Sequence, residues 1–146
     1  MNQYTTNWLK MKDTSAGAGS VEHMKEEMHV AALLLADGKP EEAIMRLRRL
    51  AAMQPDNVTI DYLLGMALVM KGGLEEACQH LNKVVSRKHE YADRALFMIG
   101  NTLLQQGKYQ EARKAYNAIV SNYPESIYTN RAKTLSDKLA KAAGTE

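Results

Sequence analysis

A short pattern recurs three times in this chain, and its spacing restricts the fold more than any other feature. It consists of a glycine, an alanine five residues later, and apolar residues four and seven positions after that alanine. The copies begin at Gly38, Gly72 and Gly107, so they lie 34 and then 35 residues apart. A fixed period of this length is typical of stacked structural units, not of a single globular fold.

The residues around these copies favour α-helix. From residue 21 onward the chain is dominated by Ala, Leu, Met, Lys, Glu and Gln, which are strong helix formers, and strand-like alternation is hard to find. Gly38 is expected to end one helix in a left-handed conformation, and Pro40 to begin the next. We also expect Asn57 or Asp56 to cap the third helix and Ser126 to cap the last.

The composition narrows the range of partners and compartments. The 19 basic and 17 acidic residues give a net charge of +2, which provides no general attraction to nucleic acid or membranes. No apolar run approaches the ~20 residues needed to span a bilayer. The one cysteine, Cys78, excludes an intrachain disulfide. The first 20 residues lack an export signal, so a natural start at Met1 implies a cytoplasmic protein.

The segment 1–20 differs from the rest of the chain. Residues 14–20 are small and linker-like, and an apolar cluster precedes them, formed by Tyr4, Trp8, Leu9 and Met11. We expect a flexible N-terminal tail. Two interpretations of its apolar cluster remain open: a solvated terminus, or a short segment that docks on a groove.

The repeating units resemble the tetratricopeptide repeat family, whose 34-residue signature has a small residue at position 8, glycine near 15, alanine at 20, a large apolar residue at 24 and proline at 32. Repeats counted as residues 24–57, 58–91 and 93–126 match at most of these positions. In that order the matches are Ala31, Gly65 and Gly100; Gly38, Gly72 and Gly107; Ala43, Ala77 and Ala112; Leu47, Leu81 and Tyr116; and Pro55 and Pro124, with His89 in place of the second proline. The chain departs from the signature at position 4, where Glu27, Asp61 and Leu96 replace a large aromatic residue, and at Ala92, a one-residue insertion.

The resemblance implies an all-α fold, a superhelical solenoid of three helix-turn-helix repeats closed by a capping helix over residues 127–142. The repeat domain then covers residues 21–142. Gly65 and Gly100 are expected to let the two helices of a hairpin approach closely, because a larger side chain there would overpack the contact.

The resemblance also implies that the first helix of each repeat lines a concave groove that binds a partner. The ten candidate residues are Met28, Leu35, Tyr62, Met66, Val69, Met70, Arg94, Phe97, Asn101 and Leu104. They are mostly apolar, and methionines suit a surface that adapts to varied apolar side chains. Tyr62 and Phe97 are candidate anchors, and Asn101 could pair with a peptide backbone. Alternatively, these residues are core, covered by the tail or a second subunit.

The sequence contains no convincing catalytic, cofactor or metal site. No phosphate loop, dinucleotide fingerprint or serine elbow is present, Cys78 has no evident activating neighbour, and His23 with Glu27 does not make a metal site. We therefore expect a non-enzymatic scaffold that binds an apolar peptide or helix of a protein partner. The alternatives are a self-assembling structural protein, a homo-oligomer formed through the groove or the tail, and a small secretion-type chaperone.

Overall fold

The computed structural model describes residues 21–144, and within that range all regular structure is α-helical. This confirms the predicted all-α class. The seven helices are α1 (Val21–Ala36), α2 (Pro40–Met53), α3 (Val58–Lys71), α4 (Leu74–Ser86), α5 (Ala92–Gln105), α6 (Tyr109–Asn122) and α7 (Thr129–Ala142). The predicted tail and its apolar cluster lie outside the described residues.

The helices pack in chain order. Three hairpins form, α1–α2, α3–α4 and α5–α6, and α7 closes the array by packing against α6. Each second helix also packs against the first helix of the next hairpin, while α1 contacts α3 directly. The array therefore has first helices (α1, α3 and α5) and second helices (α2, α4 and α6) arranged as in a solenoid.

The turn within each hairpin has the conformation expected from its glycine. Gly38, Gly72 and Gly107 have φ of 74°, 92° and 76°, in the left-handed region where glycine carries no steric penalty. Pro40 occupies the start of α2, and Asn57 caps α3 by accepting from the backbone N–H groups of Thr59 and Ile60. The three glycines, Pro40 and Asn57 thus play the structural parts predicted for them.

The last helix begins differently from the prediction. It starts at Thr129, two residues after the expected boundary, and Ser126 is not its N-cap. Instead the Ser126 hydroxyl donates to Asp93 Oδ2 at 2.6 Å and accepts from the Tyr128 backbone N–H at 3.1 Å. Ser126 therefore ties the start of α5 to the turn that precedes α7.

Two glycines lie where a first helix meets the second helix of the same hairpin. A Cβ atom added at Gly65 would lie 2.6 Å from Leu81 Cγ, and one at Gly100 would lie 2.4 Å from Tyr116 Cε1. Carbon atoms do not approach so closely without displacement, so only glycine fits the present spacing. In the first hairpin the equivalent residues are Ala31 and Leu47, both fully buried.

The residues at repeat position 4 contact the opposite helix of the same hairpin. In the first two hairpins this contact is polar: Glu27 Oε2 lies 3.3 Å from Arg46 Nη1, and Asp61 Oδ1 lies 2.8 Å from His80 Nδ1. The Asp61 side chain is only 7% exposed. In the third hairpin the same positions hold Leu96 and Ala115, both buried. The large aromatic residue of the family signature is thus replaced by an ion pair in the first hairpin, by a hydrogen-bonded aspartate and histidine in the second, and by a buried leucine in the third.

We expect Gly100→Ala to lower the free energy of unfolding by about 1–3 kcal/mol, because the added methyl overlaps the Tyr116 ring. In a Tyr116→Ala background the same substitution should cost much less, since no ring then faces the added methyl. Urea unfolding of the four chains of this double-mutant cycle measures the coupling. Equal losses in both backgrounds would contradict the contact.

Replacing one partner of the Asp61–His80 pair should lower the free energy of unfolding more than replacing both. His80→Ala leaves the Asp61 carboxylate buried without its closest partner and should cost about 1–3 kcal/mol. The double change Asp61→Leu with His80→Ala copies the third hairpin and should regain most of that loss. Thermal unfolding of the two single variants and the double variant gives the comparison, and strictly additive losses would refute it.

Candidate functional site

The ten residues predicted to bind a partner all lie on the first helices. Met28 and Leu35 are on α1; Tyr62, Met66, Val69 and Met70 are on α3; Arg94, Phe97, Asn101 and Leu104 are on α5. Their exposure falls into three groups. The exposed residues are Met70, Arg94 and Asn101; the half-buried ones are Met28, Met66, Val69, Phe97 and Leu104; the buried ones are Leu35 and Tyr62.

Three half-buried apolar side chains lie between neighbouring repeats. Met28, Met66 and Val69 pack against the core cluster that joins α1 to α4, and Met66 and Val69 also touch the next cluster. Each therefore has one side in the core and one side at the surface. Flexible side chains in this position can adjust to a contacting molecule without unfolding the helix beneath them.

Aromatic rings extend this surface from α3 to α7. The Phe97 ring is stacked on Tyr128 with centroids 5.0 Å apart and is tilted against Tyr116 at 5.9 Å. Tyr62 is stacked on Tyr91 at 4.8 Å. Tyr91 and Tyr128 are not among the ten residues predicted from the sequence, although both lie beside the ends of first helices or of α7.

The buried Tyr116 side chain modifies the polar part of the surface. The Tyr116 hydroxyl donates to Asn101 Oδ1 at 2.7 Å, so the acceptor of that exposed amide is already engaged and its NH2 group is left to face outward. Burial raises the pKa of the Tyr116 phenol, and the nearby Arg131 guanidinium opposes the increase. The sequence had suggested that Asn101 would offer both a donor and an acceptor.

Tyr62 differs from the exposed anchor that the sequence suggested. It is 5% exposed, and the Arg94 guanidinium lies 5.9 Å above its ring. Burial raises the pKa of the Tyr62 phenol, and Arg94 opposes this by favouring the charged form. The phenol oxygen is buried and makes no hydrogen bond within the part of the chain that the structure describes. The Tyr62 ring thus packs beneath the Arg94 guanidinium, and Arg94 is the exposed member of the pair.

A separate cleft of about 470 Å³ opens between α4 and α6, with Cys78 in its wall and Leu96 in its floor. The equivalent furrow between α2 and α4 is bridged by Arg48 and Glu76, whose charged atoms lie 3.1 Å apart. Asn82 occupies the repeat position of Arg48 and is too short to form this bridge. Burial raises the pKa of the Cys78 thiol, which lowers its thiolate fraction and its nucleophilicity.

Metal centres and membrane spans are two other kinds of feature to consider within residues 21–144. No group of three His, Cys, Asp or Glu side chains in this range has an arrangement that could hold a metal ion. None of the seven described helices is long and apolar enough to cross a membrane.

The matches to known proteins cover the same repeats. Two family models, both described as tetratricopeptide repeat, match residues 34–95 and 94–126, which together are more than half of the chain. DnaJ homolog subfamily C member 3 of Gallus gallus is 24% identical over 126 residues, covering 86% of this chain and 25% of that protein, so the chain spans a quarter of this relative's length. The crystal structure of MamA has a TM-score of 0.77 at 18% identity, covering 97% of this chain and 75% of MamA. At that identity the likeness shows the fold alone.

Stability at alkaline pH should depend on the buried phenols. Because the folded-state pKa of Tyr116 is raised above its ordinary value of 10.0, the folded chain keeps a proton that the unfolded chain releases. The contribution of the protonated Tyr116 phenol to the free energy of unfolding is therefore complete below that ordinary pKa. It is lost as the pH rises through the folded-state value.

We expect Tyr116→Phe to cost about 0.5–1.5 kcal/mol near neutral pH through loss of the Asn101 hydrogen bond. Its unfolding free energy should then fall less steeply in alkaline solution than that of the unchanged chain. Urea unfolding across this pH range measures both effects, with the exposed Tyr109 as the control in Tyr109→Phe. A slope equal to that of the unchanged chain would argue against the assignment.

Proposed function

Because the chain belongs to the tetratricopeptide repeat family, whose repeats generally mediate protein–protein interaction, we propose that it is a scaffold that binds an apolar peptide or helix of a partner protein. The partner lies across the first helices, on the concave side of the solenoid. Proteins of this family typically act without catalysis, and the proposed role is to hold one protein against another.

The observation that carries this proposal is a row of apolar side chains that crosses all three first helices without becoming fully buried. It is formed by Met28, Met66, Met70, Phe97 and Leu104. Met70 is 48% exposed, and the other four each keep part of their surface accessible. Apolar surface that continues across several repeats is typical of an interaction site.

The two ends of the row supply different kinds of contact. Towards α1 and α3, the methionines offer adaptable apolar surface. Towards α5 and α7, the Phe97–Tyr128 stack offers a rigid aromatic surface whose burial by a partner would contribute more per residue. A partner segment with several apolar side chains on one face fits this arrangement.

The polar groups along the row suit the backbone of such a segment. Arg94 and the Asn101 NH2 group are both exposed donors on α5. Donors of this kind pair with carbonyl oxygens that an extended segment, or the last turn of a helix, leaves free. This would orient the partner without requiring a particular side-chain sequence.

The alternative occupant of the same surface is a second copy of the chain. The two cases differ in their dependence on concentration, since self-association makes the mass in solution rise with protein concentration. Sedimentation of the unchanged chain and of Met70→Lys therefore separates them. A mass that rises with concentration and is restored to the monomer value by Met70→Lys would replace the proposed partner with a second copy.

Met70 and Met53 form a matched pair for testing the proposal, because both are 48% exposed but Met53 lies on the second helix α2. A photo-crosslinking amino acid at position 70 should capture a defined partner that the same amino acid at position 53 does not.

With that partner in hand, Met70→Lys and Phe97→Ala should each weaken binding by more than about 1 kcal/mol, or about fivefold in Kd. Met53→Lys should leave the affinity unchanged, as measured by isothermal titration calorimetry. Equal effects of the two lysine substitutions, or crosslinks of equal yield at both positions, would exclude the concave surface.

A further inference from the structure

One side of α1 lies where a preceding second helix would pack if the array continued. The equivalent sides of α3 and α5 identify it. In α3 it carries Ile60 and Ala67, which share a core cluster with Leu47 and Leu50 of α2. In α5 it carries Ala95, which shares a cluster with residues of α4. Each of these sides is covered by the helix that precedes it in the chain.

The corresponding side of α1 carries Glu26, His29 and Leu33, three to seven residues apart and so on one face of the helix. Leu33 is 42% exposed, whereas its equivalents Ala67 and Thr102 are 0% and 1% exposed. A large apolar residue therefore stands at an interface position, but no helix of residues 21–144 precedes α1 to cover it. The N-terminal side of the solenoid is unfinished within the described chain.

The charges on this side of α1 differ from those on the concave surface. Glu22 and Glu26 lie on it beside Leu33, so it is acidic as well as partly apolar. Arg94 on the concave surface and Lys25, which occupies the same repeat position on α1, are both exposed and basic. A basic apolar segment would therefore be attracted to the first site and repelled from the second.

The chain contains such a segment directly before α1. Residues 1–20 carry Trp8 and Leu9 together with Lys10 and Lys12, and their one acidic residue is Asp13. Leu33 lies about 18 Å along the helix from Val21, at 1.5 Å per residue. The nine residues 12–20 can span up to about 30 Å when extended. The apolar cluster of the segment can therefore reach Leu33 without strain.

We propose that residues 1–20 cover this side of α1 in the same molecule, with Trp8 and Leu9 against Leu33 and with Lys10 and Lys12 near Glu22 and Glu26. The segment then does for the N-terminal side of the solenoid what α7 does for the C-terminal side: it buries the interface positions and presents polar residues to water. It also leaves the concave surface open, so this inference does not depend on the proposed function.

Trp8 is the one tryptophan in the chain, so its fluorescence reports directly on the segment. In the full-length folded chain we expect emission shifted to the blue of the urea-unfolded chain and acrylamide quenching reduced severalfold. Leu33→Lys should move the emission towards the unfolded value and raise the quenching constant severalfold. Since Leu33 is exposed, this variant should keep its helix content, which far-ultraviolet circular dichroism checks.

Met70→Lys on the concave surface and Met53→Lys on α2 are matched controls, and both should leave Trp8 emission unchanged. A charge exchange gives a second, independent test: Lys10→Glu and Glu22→Lys should each raise the quenching constant, and the double variant should restore it.

Three results would overturn the inference. They are Trp8 emission and quenching equal to those of the unfolded chain, a response to Met70→Lys in place of Leu33→Lys, and a blue shift that grows with protein concentration. The second result would place the segment on the concave surface, and the third would assign the site to another copy of the chain.

Discussion

The structure depends on how closely the two helices of each hairpin approach one another. At Gly65 and Gly100 the backbone of the first helix lies directly against Leu81 and Tyr116 of the second, with no room for another carbon atom. This spacing sets the thickness of each repeat. It thereby determines where the following first helix can lie, and the alignment of the first helices into one surface follows from it.

The same contact is linked to the chemistry of that surface. The Tyr116 ring packs on the backbone of Gly100, and its hydroxyl extends to Asn101, the next residue of α5. One side chain thus closes the hairpin and also sets which part of an exposed amide faces outward. Packing inside the third repeat and hydrogen bonding at its surface are therefore coupled, because neither can change without moving Tyr116.

Local features of the fold were predictable because they depend on residue type at a short spacing. The left-handed turns at Gly38, Gly72 and Gly107 and the cap at Asn57 belong to this group. The burial of Tyr62 could not be predicted, since it results from stacking on Tyr91 and from groups brought together only by the tertiary fold.

The start of α7 was misplaced for a similar reason. A serine before a helical stripe usually acts as a cap, but here Ser126 donates a hydrogen bond to the Asp93 carboxylate, distant in sequence, and its oxygen accepts from the Tyr128 N–H in the turn before α7. For the candidate surface, repeat spacing assigned its residues to the first helices. It could not assign the degree of exposure of each, nor the arrival of Tyr128 against Phe97.

The contacts at repeat position 4 have a consequence for how the chain avoids misfolding. Similar repeats can pair with the wrong neighbour while the chain folds, and this is a characteristic error of repeat proteins. Here the hairpins differ at this level: Glu27 pairs with Arg46 and Asp61 with His80, whereas the third hairpin has the buried apolar residues Leu96 and Ala115 at the same positions. An exchange that set the Asp61 helix against the Ala115 helix would isolate a carboxylate in an apolar contact. The polar pair of the second hairpin therefore disfavours pairing of its first helix with the second helix of the third hairpin.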